Sequence, residues 1–298
     1  MGKSGRPMMK AEANWPLVGF TALSPIAIGG LAGLLAVRGT PGIGIDWSAV
    51  AFLVVALVAL AASSFHLGRP FHAYRAMARL STSWLSREVV LFGLFVLLLA
   101  AYALPLHPGG WDMSRGFWGV LAIMMGYLSL WATGEVYRLP SRPAWDHWRT
   151  MASLISGSLG AGLLLGEFVA RVGRAGGKGG TTAVIAVAVV ALLFSCAVTC
   201  LRGRRPDPAR AEEVAAWQVM IGPCRWLLAL RIIGALCALG FLLATGSLSI
   251  IAWIPAAIGE VADRALFFRA VVPVSMAGRA GVLPFEPVGF PADEGKVP

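Results

Sequence analysis

The sequence predicts an all-α, polytopic membrane protein folded as an eight-transmembrane-helix bundle, and three observations carry that reading. With 57% hydrophobic and 13% charged residues and a mean hydropathy of +0.74, the chain is far more apolar than a soluble globule, in which charged residues make up about 25%. Its apolar residues fall into runs of about the ~20 residues that a helix needs to cross a ~30 Å hydrocarbon core. Those runs are continuously apolar and do not alternate with period two, which excludes a barrel and leaves helices as the way to satisfy backbone donors in lipid.

The first run, 15–37, opens at the interfacial anchor Trp15-Pro16, and its Gly29-Gly30 and Gly33 suit close helix packing in lipid. Its length, and the lack of a small-x-small site before Arg38, set it apart from a cleavable signal. The second run, 47–66, is free of charge from Trp47 to Phe65 and ends at His66. Pro70 stops that helix, and apolar spacing from Phe71 to Leu80 predicts a short interfacial helix. The third run, 88–106, starts at Glu88, and Ser81-Thr82-Ser83 offers an N-cap before Trp84, with Glu88 about one turn on. The fourth, 116–136, ends at Glu135. The fifth, 150–172, is weakly interrupted at Gly160-Ala161-Gly162 and carries Glu167 and Arg171 one turn apart, an interfacial pair. A glycine-rich link, 173–180, lacks the strand and spacing of a phosphate loop and leads to the sixth run, 180–201. The stretch from Arg202 to Ala216 mixes charges of both signs and reads as a solvated connector. The seventh and eighth runs, 224–244 and 248–268, are joined by a tight hairpin at Ala244-Thr245-Gly246-Ser247. Residues 1–270 thus form the transmembrane domain, and 271–298 a Pro- and Gly-rich tail.

Lysine and arginine number nineteen on the side of the two termini and the 2–3, 4–5 and 6–7 loops, against five on the other: Arg38, Arg115, Arg171, Arg174 and Lys178. The positive-inside rule places both termini in the cytoplasm, the chain lying in the bacterial inner membrane. The net charge of +10 is therefore topology, dispersed among loops, and not a nucleic-acid surface. Cys196, Cys200, Cys224 and Cys237 form no Cys-x-x-Cys, so no iron–sulfur cluster is expected in this chain. They read as small buried hydrophobes. Only His66 lies near a span, with His72, His107 and His147 in loops, which disfavours a haem held between helices.

Ionisable residues concentrate where the second run ends and the third begins. His66, Arg69, His72, Arg75, Arg79, Arg87 and Glu88 all lie between Phe65 and Val89. Arg231, inside the seventh run, needs a partner, and Glu260 and Asp263 lie at similar depth in the eighth. Together with Glu135 and Arg264 these groups imply one polar pocket in the cytoplasmic half of the bilayer. Such a pocket suits an amphipathic two-proton redox ligand such as a quinol: Glu88 exchanges a proton, His66 hydrogen-bonds a carbonyl oxygen, and apolar neighbours take the tail. The plainer readings are an interfacial histidine at a helix end and a structural Arg231 ion pair. Trp145 and Trp148, with Arg138 and Arg142 in the 4–5 loop, fit an interfacial belt or a docking hot spot.

Several of these stretches match a known pattern: His66-Leu67-Gly68 and Pro70 with Arg75, Ser83-Trp84-Leu85-Ser86-Arg87-Glu88, Val136-Tyr137-Arg138 followed by Pro143-Ala144-Trp145, and Gly259-Glu260 with Arg264 and Phe267-Phe268. In them the chain resembles the DmsC-type membrane anchor subunits of dimethyl sulfoxide reductase and related molybdenum enzymes. The resemblance implies exchange of electrons with the membrane quinone pool, menaquinone or ubiquinone, with Glu88 and His66 as the reacting pair. Arg69, Arg75, Trp84, Arg87, Glu135, Arg231 and Glu260 would complete the quinone site. It also implies a four-cluster, ferredoxin-like iron–sulfur subunit docked on the chain, with a molybdopterin catalytic subunit beyond it. The terminal substrate, sulfite or an S- or N-oxide, is then chosen on another polypeptide, and a cytoplasm-facing site suits a sulfite-oxidising relative. The rival classes are a proton-coupled transporter or channel, for which paired broken spans or internal repeats are expected, and a haem-containing cytochrome-type anchor.

Overall fold

The computed structural model describes residues 14–38, 44–65, 77, 79–104, 112–173, 178–202, 204, 211–245 and 249–271. Among these residues every regular element is helical. First come α1 (Trp15–Arg38), α2 (Trp47–Phe65), α3 (Trp84–Ala103) and α4 (Asp112–Tyr137). The fifth span is composite: α5 (Trp148–Gly157), a π turn (Ser158–Gly162) and α6 (Leu163–Val172). Then follow α7 (Lys178–Arg202), a short α8 (Ala211–Ile221), and the hairpin of α9 (Arg225–Thr245) with α10 (Ser249–Arg269). Seven spans are long and apolar enough to cross a membrane: α1, α2, α3, α4, the α5–α6 composite, α7 and α9. The eighth, α10, has 21 residues, enough for a ~30 Å core. It also carries Glu260, Asp263 and Arg264, which it buries inside the bundle.

α1 is the hub, in contact with α2, α4, α5, α6, α7, α10 and the π turn. Its approach to the fifth span is backbone on backbone. A Cβ added at Gly33 would lie 2.7 Å from the Leu163 carbonyl oxygen, and one at Gly162 would lie 2.7 Å from the Gly29 Cα. Gly29 and Gly33 on α1 thus face Gly162 and Gly166 across a seam with three residues between the glycines on both sides, the arrangement that lets helices associate in lipid. Around it, Phe52, Phe92, Phe95, Leu99 and Leu130 fill the core. Phe20 meets Phe92 edge-on at 5.4 Å. The outer faces stay apolar, as Val54, Leu57 and Val58 on α2 show, because lipid takes the place of water there.

Several expectations are corrected. The third helix begins at Trp84, where the Ser81-Thr82-Ser83 cluster predicts its cap: the Ser83 hydroxyl accepts the Ser86 amide at 3.3 Å, so the helix extends one turn ahead of the apolar run that starts at residue 88. Glu88 is therefore inside the helix and not at its tip. The weak interruption of the fifth span is a full π turn, a feature frequent at functional sites, which reshapes the helix where Gly162 meets Gly29. The solvated connector runs into α8, whose Ala215, Ala216 and Met220 are buried, Met220 in one cluster with Cys224, Leu227 and Leu266. Glu167 is fully buried within the bundle and pairs with the partly exposed Arg171. Of the cysteines only Cys224 is buried; Cys200 and Cys237 are exposed on the bundle's exterior. The expected helix at Phe71 to Leu80 falls largely outside the described residues, as do residues 174–177 and the tail beyond Val271.

Candidate functional site

The site is built around the first turns of α3. Arg87 turns toward the preceding segment: its Nε–H donates to the Leu80 carbonyl at 2.9 Å and its Nη2 to the Ser81 carbonyl at 2.8 Å. Its guanidinium lies 4.2 Å from the Trp84 ring centroid, Trp84 itself being exposed. Glu88 points inward and is 6% exposed. The Thr133 hydroxyl on α4 lies 2.7 Å from Glu88 Oε1 and 2.9 Å from the Ser129 carbonyl oxygen. A threonine hydroxyl has one hydrogen. Both contacts are fully satisfied together only when Glu88 itself carries a proton and shares it with Thr133, whose own hydrogen then goes to Ser129. The buried carboxyl is thus set in a hydrogen-bond arrangement that alters with its protonation.

A second polar cluster lies among α5, α7, α9 and α10. Glu260 accepts from Arg264 through Nε at 2.9 Å and Nη2 at 2.5 Å, and faces Arg231 Nη1 at 3.4 Å. Arg264 also donates to the Ser153 hydroxyl at 3.0 Å and the Ser153 carbonyl at 2.6 Å, while Arg231 donates to the Ser195 hydroxyl. Asp263 is not Arg231's partner; it takes the Thr199 hydroxyl at 2.8 Å and Arg202 Nη1 at 3.2 Å. Charges at this depth persist only when paired and hydrogen-bonded, and here nearly every one is. Gly157 is part of the design, since a Cβ there would run into the Glu260 carboxylate. Arg231 Nε is buried without a partner.

Tyr137, at the end of α4, is buried. Its ring sits in an aromatic cluster with Trp145, Phe267 and Phe268. Trp145 stacks on Phe267 at 5.0 Å and donates its indole N–H to the Phe267 carbonyl at 2.9 Å. This buried tryptophan belongs to the core, which corrects its reading as a belt or docking residue. Trp148 is exposed. Glu135 is half-buried and pairs with Arg138 at 3.0 Å, one short step from Thr133 but outside both clusters. His66, Arg69 and Arg75 lie outside the described residues.

The structure therefore brings Glu88 together with Thr133, and Arg231 together with Glu260, on one side of the bundle. Sequence reasoning does not single out Thr133, Ser153, Ser195, Thr199 or Arg202. The available signal is small hydroxyl residues inside otherwise apolar spans, which in lipid turn toward polar partners in the bundle. Among the described residues, no group of three or more His, Cys, Asp or Glu side chains could hold a metal ion. A cavity of about 190 Å³ on the same side is lined by Trp145, Arg149, Arg202 and Trp217, and by neither Glu88 nor Glu260. The opposite end is closed by Arg38 on Asp46 at 2.5 Å. There Arg115 also donates to the carbonyls of Tyr102 at 2.9 Å and Gly44 at 2.8 Å.

Comparison with known proteins agrees with this architecture. One polypeptide of the anaerobic dimethyl sulfoxide reductase of Haemophilus influenzae is 28% identical over 117 residues, 37% of this chain and 42% of that relative. The anaerobic dimethyl sulfoxide reductase polypeptide YnfH of Escherichia coli is 25% identical over 196 residues, 64% of this chain and 68% of the relative. One subunit of the sulfite dehydrogenase of Allochromatium vinosum is 50% identical over 50 residues, 17% of this chain and 15% of the relative. The chain thus spans less than half the length of the Haemophilus protein and about two thirds of YnfH. No solved structure matches. The family described as DMSO reductase anchor subunit (DmsC) matches residues 8–268, from before α1 to the last turn of α10, and this multi-pass membrane protein belongs to it.

Proposed function

We propose that the chain anchors a DMSO-reductase-type molybdopterin and iron–sulfur complex to the bacterial inner membrane and exchanges electrons with the quinone pool, with Glu88 as the proton-exchanging group. The observation that carries this reading is the buried Glu88 carboxyl on a threonine hydroxyl that already has a second acceptor. That geometry gives the carboxyl a hydrogen-bond acceptor, the Thr133 hydroxyl, in its protonated form and a hydrogen-bond donor, the same hydroxyl, in its ionised form. A quinol bound beside it supplies two electrons and two protons per oxidation. Glu88 receives the ligand's two hydroxyl protons one after the other and returns each to water, and the direction reverses when the partner oxidises sulfite. His66 hydrogen-bonds the same head group, and Arg69 and Arg75 complete the set of polar residues around it. Trp84 and Arg87 hold the entrance of α3, while the paired Arg231 and Glu260 fix the inner wall. Glu135 stands at the rim.

Electrons leave to a four-cluster, ferredoxin-like subunit on the basic face, and the terminal reaction, sulfite oxidation or S- or N-oxide reduction, belongs to the molybdopterin subunit beyond it. Affinity purification of the tagged chain from membranes is expected to bring with it iron and molybdenum in separate polypeptides, while the chain stripped of partners shows no reduced-minus-oxidised haem bands. Haem bands, or stoichiometric iron in the chain alone, would replace this reading with a cytochrome-type anchor.

Orientation follows from the distribution of arginine and lysine. Cysteines placed at Ser4 and at Gly177 and probed in intact cells with an impermeant thiol reagent are expected to label at Gly177 only. Labelling at Ser4 alone would invert the topology and move the site to the other face of the membrane.

A further inference from the structure

The 190 Å³ cavity takes no part in the proposed quinone chemistry. It opens where α5 begins and α7 and α10 end, with α8 beside it. Its position at the helix ends puts it at the depth of lipid headgroups, and its volume is about that of six water molecules in the liquid. Trp145 and Trp217 form its walls. Arg149, Arg202 and Arg204 bring three guanidinium groups to it against one carboxylate, Glu213.

Two of the arginines are fixed. Arg149 Nη1 donates to the Leu201 carbonyl at 2.9 Å, and Glu213 lies within electrostatic reach of it. Arg202 donates through Nη1 to Asp263 at 3.2 Å and through Nη2 to the Arg149 carbonyl at 3.2 Å. Arg204 is exposed and makes no ion pair or hydrogen bond with a described side chain. The cavity therefore has a rigid basic floor and one guanidinium free for a ligand. Guanidinium groups match phosphate oxygens with paired N–H donors, and a basic recess between helix ends is the usual setting for an acidic lipid headgroup.

We propose that this cavity binds the phosphodiester headgroup of an anionic phospholipid, with Arg204 as the arginine free to ligate it and Arg149 and Arg202 as its fixed basic floor. Thermal unfolding of the purified full-length chain, followed in mixed micelles containing phosphatidylglycerol, phosphatidylcholine or inorganic phosphate at matched concentration, tests it. Phosphatidylglycerol alone is expected to raise the midpoint. Arg204→Glu is expected to weaken its half-saturating concentration roughly fivefold or more while leaving the lipid-free midpoint unchanged. Arg225→Glu, at an exposed arginine outside the cavity, is expected to leave lipid binding at the wild-type level. Equal weakening by the two substitutions would mean diffuse surface attraction and overturn the site. A full shift with phosphatidylcholine would overturn the anionic requirement, and a full shift with inorganic phosphate would make a soluble ion the ligand in place of a lipid.

Discussion

Gly29→Leu is expected to remove folded protein from the membrane. A side chain at this position would run into the Ser158 backbone, and the reciprocal glycine, Gly162, has room for no Cβ beside the Gly29 Cα at 2.7 Å. The obstacle on both sides is main chain, which cannot move by a rotamer change, so α1 and the fifth span must separate. Overpacking a well-packed interior commonly costs about 1–3 kcal/mol, and a backbone-on-backbone seam at the hub helix lies at or above the top of that range. Because the obstruction is main chain, the contacts of α1 with the fifth span are lost as well, and the sum approaches the low end of a typical total stability of about 5–15 kcal/mol, enough to deplete the folded population. Gly93→Leu and Gly240→Leu are the controls, because a Cβ at either position meets nothing within 4 Å. Fluorescence-detected size exclusion of detergent extracts should show a monodisperse peak for wild type and both controls and none for Gly29→Leu. Equal peaks for all four would mean that the seam does not hold the bundle together.

The spans are legible in the sequence because transfer of a helix into lipid depends on composition over about twenty residues, which hydropathy measures directly. What hydropathy cannot resolve is where a helix begins when the first turn is amphipathic. Trp84 to Arg87 fall outside the apolar run, yet Ser83 caps them into α3, as the Ser81-Thr82-Ser83 cluster suggests, and Glu88 lies buried one turn inside the helix. The segment before α9 misleads for a related reason: charges at Arg202 and Arg210 suggest solvent, whereas Ala215, Ala216 and Met220 are buried and Met220 joins a cluster with Leu227 of α9 and Leu266 of α10. Glycine spacing announces a close helix contact, but not that its partner is the fifth span or that a π turn accompanies it.

For the site, the charged members are visible in the sequence and their partners are not. Arg231 inside a span demands a carboxylate, and Glu260 supplies it at 3.4 Å. Asp263, an equal candidate by depth, turns to Arg202 and Thr199 instead, because rotation about the α10 axis separates two residues three positions apart in direction as well as height. Thr133 is one hydroxyl among many in the sequence, and only the packing of α4 on α3 makes it the residue that holds Glu88. Trp145 shows the converse: a tryptophan in a basic loop suggests an exposed anchor, and the stack on Phe267 withdraws it into the core.

Glu88→Gln is expected to abolish quinone-coupled turnover while leaving the complex assembled. Glutamine has nearly the size of glutamic acid and can still hydrogen-bond Thr133, but it cannot gain or lose a proton at neutral pH. Loss of a positioned acid–base group typically slows a reaction by about 10²–10⁴. A purely structural Glu88 would behave differently, because weakening the α3–α4 contact lowers the amount of complex in the membrane and not the turnover of what remains. Normalising activity to assembled complex separates the two effects. The deciding measurement compares, in the same membranes, quinone-dependent turnover of wild type and Glu88→Gln with their turnover by an artificial dye that feeds the partner subunit directly. A proton role for Glu88 predicts a loss of about a hundredfold or more in the quinone-dependent rate with dye activity at the wild-type level; wild-type values for both would contradict it.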